Sequence, residues 1–88
     1  MRIWVKVFDA HAHMLQSEMI DDDREESRTH KIFYALEEAC YRLDLGKPIW
    51  LKANIQEFQR LAKTRFYQDN FIEEIDFEYL ELEIIEED

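Results

Sequence analysis

Eighty-eight residues leave room for one domain, residues 1–88, and not for two cores, since a chain of this size hides only about 60–65% of its unfolded surface on folding. An apolar content of 47% with six Phe, four Tyr and two Trp excludes a disordered chain, because it supplies enough burial to oppose the ordering entropy. A net charge of −10 opposes direct binding to a nucleic-acid backbone, a single cysteine excludes a disulfide scaffold and accords with a reducing cytoplasm, and no apolar run has the length of a membrane span or the form of a secretory leader.

Residues 1–8 alternate, with Ile3, Val5 and Val7 on one side and Arg2, Trp4, Lys6 and Phe8 on the other. That period of two predicts a half-buried strand. The strand runs into "DAHAH", where Asp9, His11 and His13 stand two apart. Side chains at that spacing in an extended chain point the same way, about 7 Å apart, so two imidazoles can converge on one metal. Within "KVFDAHAHM" the pattern resembles the first metal motif of the amidohydrolase superfamily, whose strand-end His-x-His holds metal ions that activate water. The resemblance stops there: that superfamily uses a (β/α)8 barrel of at least about 200 residues, and His30 is the one other histidine in this chain. Extending the strand would also turn all three side chains toward the Ile3, Val5 and Val7 face. Asp9 to Ala12 are therefore expected as a polar hairpin connection without metal, and a small metal-dependent hydrolase using Asp9, His11 and His13 is the lesser alternative.

"HMLQSEMI", residues 13–20, predicts a second strand pairing back on the first. "DDDREES" reads as an acidic loop in which Ser27 or Thr29 caps the helix that follows. Ile32, Phe33, Leu36, Ala39, Cys40 and Leu43 recur at helical spacing and define that helix's buried stripe. Gly46 is expected to take a left-handed cap, and Pro48 forbids continuation. Cys40 reads as a small core residue: ten residues of helix put His30 about 15 Å away, too far to serve a thiol as base. One glycine cannot build a phosphate-cradling loop.

After an extended "PIW", Asn54 followed by Glu57 resembles a capping box. A second helix is expected, with Leu51, Ile55, Phe58, Leu61, Ala62 and Phe66 as its apolar stripe and Lys52, Gln56, Gln59, Arg60 and Lys63 as a basic face. "DFEYLELEII" alternates again, with Leu80, Leu82 and Ile84 on one side and Phe77, Tyr79, Glu81, Glu83 and Ile85 on the other. The acids are concentrated late: ten lie between Asp69 and Asp88 with no cation, after five cations and one acid between Lys47 and Gln68.

These elements predict a two-layer α+β domain, β-β-α-α-β, with a three-stranded sheet in the order 2-1-3 and both helices on one face. The last strand is placed beside the first, Arg2 and Lys6 facing Glu81 and Glu83, a match of about 0.2–1 kcal/mol per pair. Connection through helices permits that pair to be parallel. The outer face then carries Trp4, Phe8, Phe77 and Tyr79, an uncovered aromatic patch of the kind that marks an interface. The competing arrangement wraps the second helix or "RFYQDNFIEEI" over it.

At "LDLGKPIWL", "EFQRLAKTRF" and "DNFIEEIDFEYLELEIIEED" the chain resembles a group of short uncharacterised bacterial hypothetical proteins, with nearly the same segments in the same order over almost the whole length. The resemblance implies no activity, cofactor or partner, so no site residue is carried over from it. The expectation is a protein-interaction module rather than an enzyme, without cofactor, anchored by Trp4, Phe8, Phe77 and Tyr79 on a second copy or another protein. The alternative from the acidic block is a nucleic-acid mimic that occupies the channel of a nucleic-acid-binding protein.

Overall fold

A computed structural model describes all 88 residues. The first strand, β1 (Arg2–Phe8), pairs antiparallel with β2 (Met14–Asp21) across a short hairpin. The Ala12 N–H donates to the Asp9 carbonyl at 3.1 Å and the Asp9 N–H to the His13 carbonyl at 3.0 Å. Ala12 takes a left-handed conformation (φ 61°), the position a three-residue hairpin loop needs before it rejoins the ladder.

In the acidic loop Asp22 is buried, and its carboxylate accepts the Arg24 Nε at 2.9 Å, the Arg24 Nη2 at 2.8 Å and the Arg24 backbone N–H at 3.1 Å. Helix α1 (Arg28–Arg42) begins at Ser27, whose Oγ accepts the His30 N–H at 3.1 Å, a cap worth about 1 kcal/mol. Ile32, Ala35, Leu36, Ala39 and Cys40 form its buried face, whereas Phe33 is 50% exposed. The left-handed residue at its end is Asp44 (φ 57°), not Gly46. The Leu45 N–H reaches the Cys40 carbonyl and the Asp44 N–H the Tyr41 carbonyl, the paired bonds of a Schellman ending. A Cβ at Gly46 would meet only the carboxylate end of the exposed Glu73 side chain, which can swing aside.

Helix α2 (Lys52–Leu61) is shorter than expected and is followed directly by a strand, β3 (Lys63–Phe66). Ala62 makes the turn in a left-handed conformation (φ 56°). Thr64 and Phe66 face the core and are fully buried, so the apparent helical continuation through Ala62 and Phe66 is instead a two-residue alternation. The α2 stripe is also redistributed: Asn54 and Phe58 are buried, while Leu51, Ile55 and Leu61 are exposed. Asn54 is not the N-cap but the third helical residue, its Oδ1 accepting the Leu51 N–H at 3.1 Å.

After a single turn of 3-10 helix (Gln68–Asn70), β4 (Tyr79–Glu86) enters between β1 and β3. The sheet therefore has four strands in the order β2-β1-β4-β3, not three in the order 2-1-3, and every pairing is antiparallel. The additional strand reverses the chain once more, so β4 meets β1 antiparallel rather than parallel. The last strand does lie beside the first, but Arg2 faces Glu86 while Lys6 faces Glu81. Ile3, Val5, Val7, Leu80 and Leu82 are buried together with the α1 face, Phe58, Phe66 and Phe71. No helix is long and apolar enough to cross a membrane.

A Cβ in the left-handed region costs about 1–2 kcal/mol, part of which glycine gives back through its freer unfolded chain. Ala62→Gly is thus expected to stabilise the fold by about 0.5–1 kcal/mol, seen as a higher urea midpoint at unchanged slope; a lower midpoint contradicts the strain. Arg24 pairing holds the Asp22 carboxyl down to about 2 from an ordinary 3.8. Because the folded value is the lower one, its stabilisation is complete above the unfolded value and disappears as pH falls toward 2. Asp22→Asn should lower stability at neutral pH and flatten the acid limb of the stability curve measured by denaturant titration.

Candidate functional site on the outer sheet face

Opposed residues in an antiparallel sheet share a face, so the registers assemble the outer face row by row. One row runs Met19, Trp4, Glu83, Lys63; the next Ser17, Lys6, Glu81, Arg65; the third Met14, Phe8 and Tyr79, continued by Tyr67 just past β3. Three cations stand among two carboxylates in these three rows, in a chain whose net charge is −10. It is locally close to neutral.

The middle row is held by ion pairs. Lys6 Nζ lies 2.8 Å from Glu83 Oε1 and 3.2 Å from Glu81 Oε2, with the Trp4 ring 4.4 Å away beneath the charge. Arg65 Nε approaches Glu81 Oε1 at 3.4 Å, and its guanidinium lies 4.5 Å over the Tyr79 ring. Lys6 is only 8% exposed and Glu81 6%, although no helix covers this face. Flanking side chains do the shielding. Burial disfavours the Lys6 charge, but the Glu83 and Glu81 carboxylates outweigh it and hold the ammonium above its ordinary range; for a group this deep, pairing and not solvation keeps the charge.

The third row is aromatic. Phe8 stacks on Tyr79 with centroids 5.0 Å apart, and Tyr67 meets Tyr79 at 5.4 Å, spacings at which rings attract. Trp4 and Phe8 are half-buried, while Tyr79, in the middle, is 8% exposed. Phe77 does not join them: it packs against the core beside Phe71, at 5.7 Å. Of the four expected anchors, then, Trp4, Phe8 and Tyr79 share the outer face and Phe77 does not. Tyr67 and Arg65 complete the surface. Their signal was the alternation of Lys63, Thr64, Arg65 and Phe66, hidden by an accidental match to a helical stripe. The segment after β3 covers the face only at Tyr67; Phe71 and Ile75 turn toward the core.

The histidine motif lies in the β1–β2 hairpin. Asp9 Oδ1 accepts the His11 and His13 N–H groups, each at 2.9 Å, and Oδ2 lies 3.2 Å from His13 Nδ1. These bonds, that from the His13 amide first, hold the Asp9 carboxyl below its usual range. The aspartate organises the turn, and no group of three or more His, Cys, Asp or Glu is arranged to hold a metal ion. Cys40 is buried, and burial pushes its thiol up to about 11, unlike an activated nucleophile. The C-terminal acids are dispersed: Glu81 and Glu83 hold Lys6, Glu87 pairs with Arg28 at 3.2 Å and Asp88 with Lys31 at 2.6 Å.

A concavity of about 190 Å³ lies between the helices, lined by Phe33, Trp50, Ile55 and Phe58 among others. The Nε1 of Trp50 is buried without an acceptor. No protein-family model, curated protein or solved structure matches the chain.

Removing one member of a buried ion pair strands the other. Lys6→Met is expected to cost about 2–3 kcal/mol, and adding Glu81→Gln to it to cost less than the sum of the two single changes. Additive losses in urea unfolding would show that the two groups are not coupled.

Proposed function

We propose that this protein is an interaction module that binds another protein through the outer face of its sheet. The observation that carries the reading is the aromatic row of Phe8, Tyr79 and Tyr67, left without a covering helix and braced by the Lys6, Glu81 and Arg65 ion pairs. Rigid aromatic side chains lose little entropy on association, and they supply most of the energy in patches of this kind. The near balance of charge on this face supports the same reading, because like-charge repulsion opposes association least where the local field is weak. Phe8 and Trp4, both half-buried, are the anchors, and Tyr79 sets their backing.

Immobilised wild-type protein is expected to retain a partner from cell extract that Trp4→Ala and Phe8→Ala, each folded by circular dichroism, retain at least about tenfold less. A partner held equally by both variants, or none held by the wild type, would remove this face as the binding site.

A further inference from the structure

The two edges of the sheet are treated differently. On β3 the outward backbone groups of Arg65 are occupied, as are those of Tyr67 just past the strand. The Arg65 N–H donates to Glu57 Oε1 at 3.2 Å and its carbonyl accepts the Asn54 Nδ2 at 2.8 Å. The Tyr67 N–H donates to Asn70 Oδ1 at 3.0 Å, and its carbonyl accepts the Asn70 N–H at 2.9 Å. Asn54 and Asn70 are in turn joined at 2.7 Å. That edge is closed to another strand.

The β2 edge is open. The Asp22 N–H donates to the Met1 carbonyl at 2.8 Å, so Ile20, Glu18 and Gln16 point their amides at β1 while Met19 and Ser17 point theirs away, an alternation that ends at Leu15, where the ladder shifts register. Beyond the β1 ladder, no intramolecular hydrogen bond involves the backbone of Ser17 or Met19. Eight residues long and mostly exposed, β2 carries neither the lysine nor the proline that commonly blunts an edge.

We infer that β2 pairs antiparallel with β2 of a second copy about a two-fold axis through Ser17, joining two sheets into one of eight strands. The register follows from charge and length. A two-fold axis that keeps each sheet face continuous must pass through a residue opposite itself. Centred on Ser17, whose amide and carbonyl both point outward, the pairing sets Gln16 against Glu18 of the second copy on either side of the axis, within the regular part of the strand. No like charges are opposed. Centring on Glu18 places that carboxylate against its own copy, and centring on Met19 shortens the overlap. At Ser17 the outer faces of the two copies become continuous, with Lys6 of each copy next to the shared seam.

Sedimentation of the purified chain across the micromolar range is expected to show a two-chain species. Ser17→Pro removes an outward N–H without touching the β1 ladder, and Ser17→Lys sets two cations against each other at the axis. Both variants are expected to weaken the dimer at least about tenfold while keeping the wild-type circular dichroism spectrum. Phe8→Ala, which removes a ring from the aromatic row, should leave the dimer intact, so failure of that surface and failure of this edge are separable. A wild-type chain that stays monomeric overturns the inference, as does a dimer indifferent to Ser17→Lys; a dimer lost in Phe8→Ala but not in Ser17→Lys moves the contact to the outer face.

Discussion

Everything else in this fold hangs on the antiparallel pairing of β1 with β4, the first and last strands of the chain and the two central strands of its sheet. Closing so long a loop costs conformational entropy before it gives any contact back. The return comes on both faces of the same pair. Inside, Val5 lies against Leu82 and Val7 against Leu80, all essentially without solvent contact. Outside, Lys6 is fixed between Glu81 and Glu83. A one-residue slip would exchange the two sets, burying charge in the core and exposing Val and Leu. The register is thus specified twice, by burial and by charge.

Much of this was legible in the sequence because local pattern and burial agree. The β1 alternation, the β2 hairpin, the Ser27 cap and the buried face of α1 follow from residues within one element. So does the neighbour relation of β1 and β4, since Lys6 needs an acidic strand beside it. What was not legible depended on a turn without its usual residue. Ala62 and Asp44 hold positive φ where glycine is the common choice, so the end of α2 is unmarked and the ending of α1 is displaced from Gly46. Missing the turn at Ala62 hid β3, and missing β3 gave the wrong strand count and left the direction of β4 open. Phe77 was misplaced by another route: its alternation with Tyr79 and Glu81 is real in sequence, but the strand begins only at Tyr79. Before that point nothing obliges Phe77 to share its face.

The buried asparagines show how a short helix and a short strand come to depend on each other. Asn54 bonds Leu51 at the start of α2, Thr64 and Arg65 on β3, and Asn70 in the turn beyond. Its amide is satisfied on both sides, which is the condition under which a buried polar group adds order rather than cost. The same bonds close one edge of the sheet. Protection against unwanted strand pairing on that side is therefore a by-product of the network that ends α2 and seats β3.

The distribution of charge connects that architecture to recognition. A chain carrying −10 overall repels others like it and most acidic proteins at a distance. Yet the carboxylates nearest the centre of the sheet are committed to Lys6 and Arg65, and much of the unpaired acid lies in the segments around Asp23 and Glu73. Repulsion is thus lowest over the outer face, where the aromatic row also lacks a covering helix. Had the same ion pairs been replaced by apolar side chains, the face would gain stickiness and lose the charge pattern that distinguishes one partner from another. Pairing the charges within the sheet keeps Lys6 and Glu81 buried beside a row of rings, so an approaching surface meets rigid aromatic area with few free charges to desolvate.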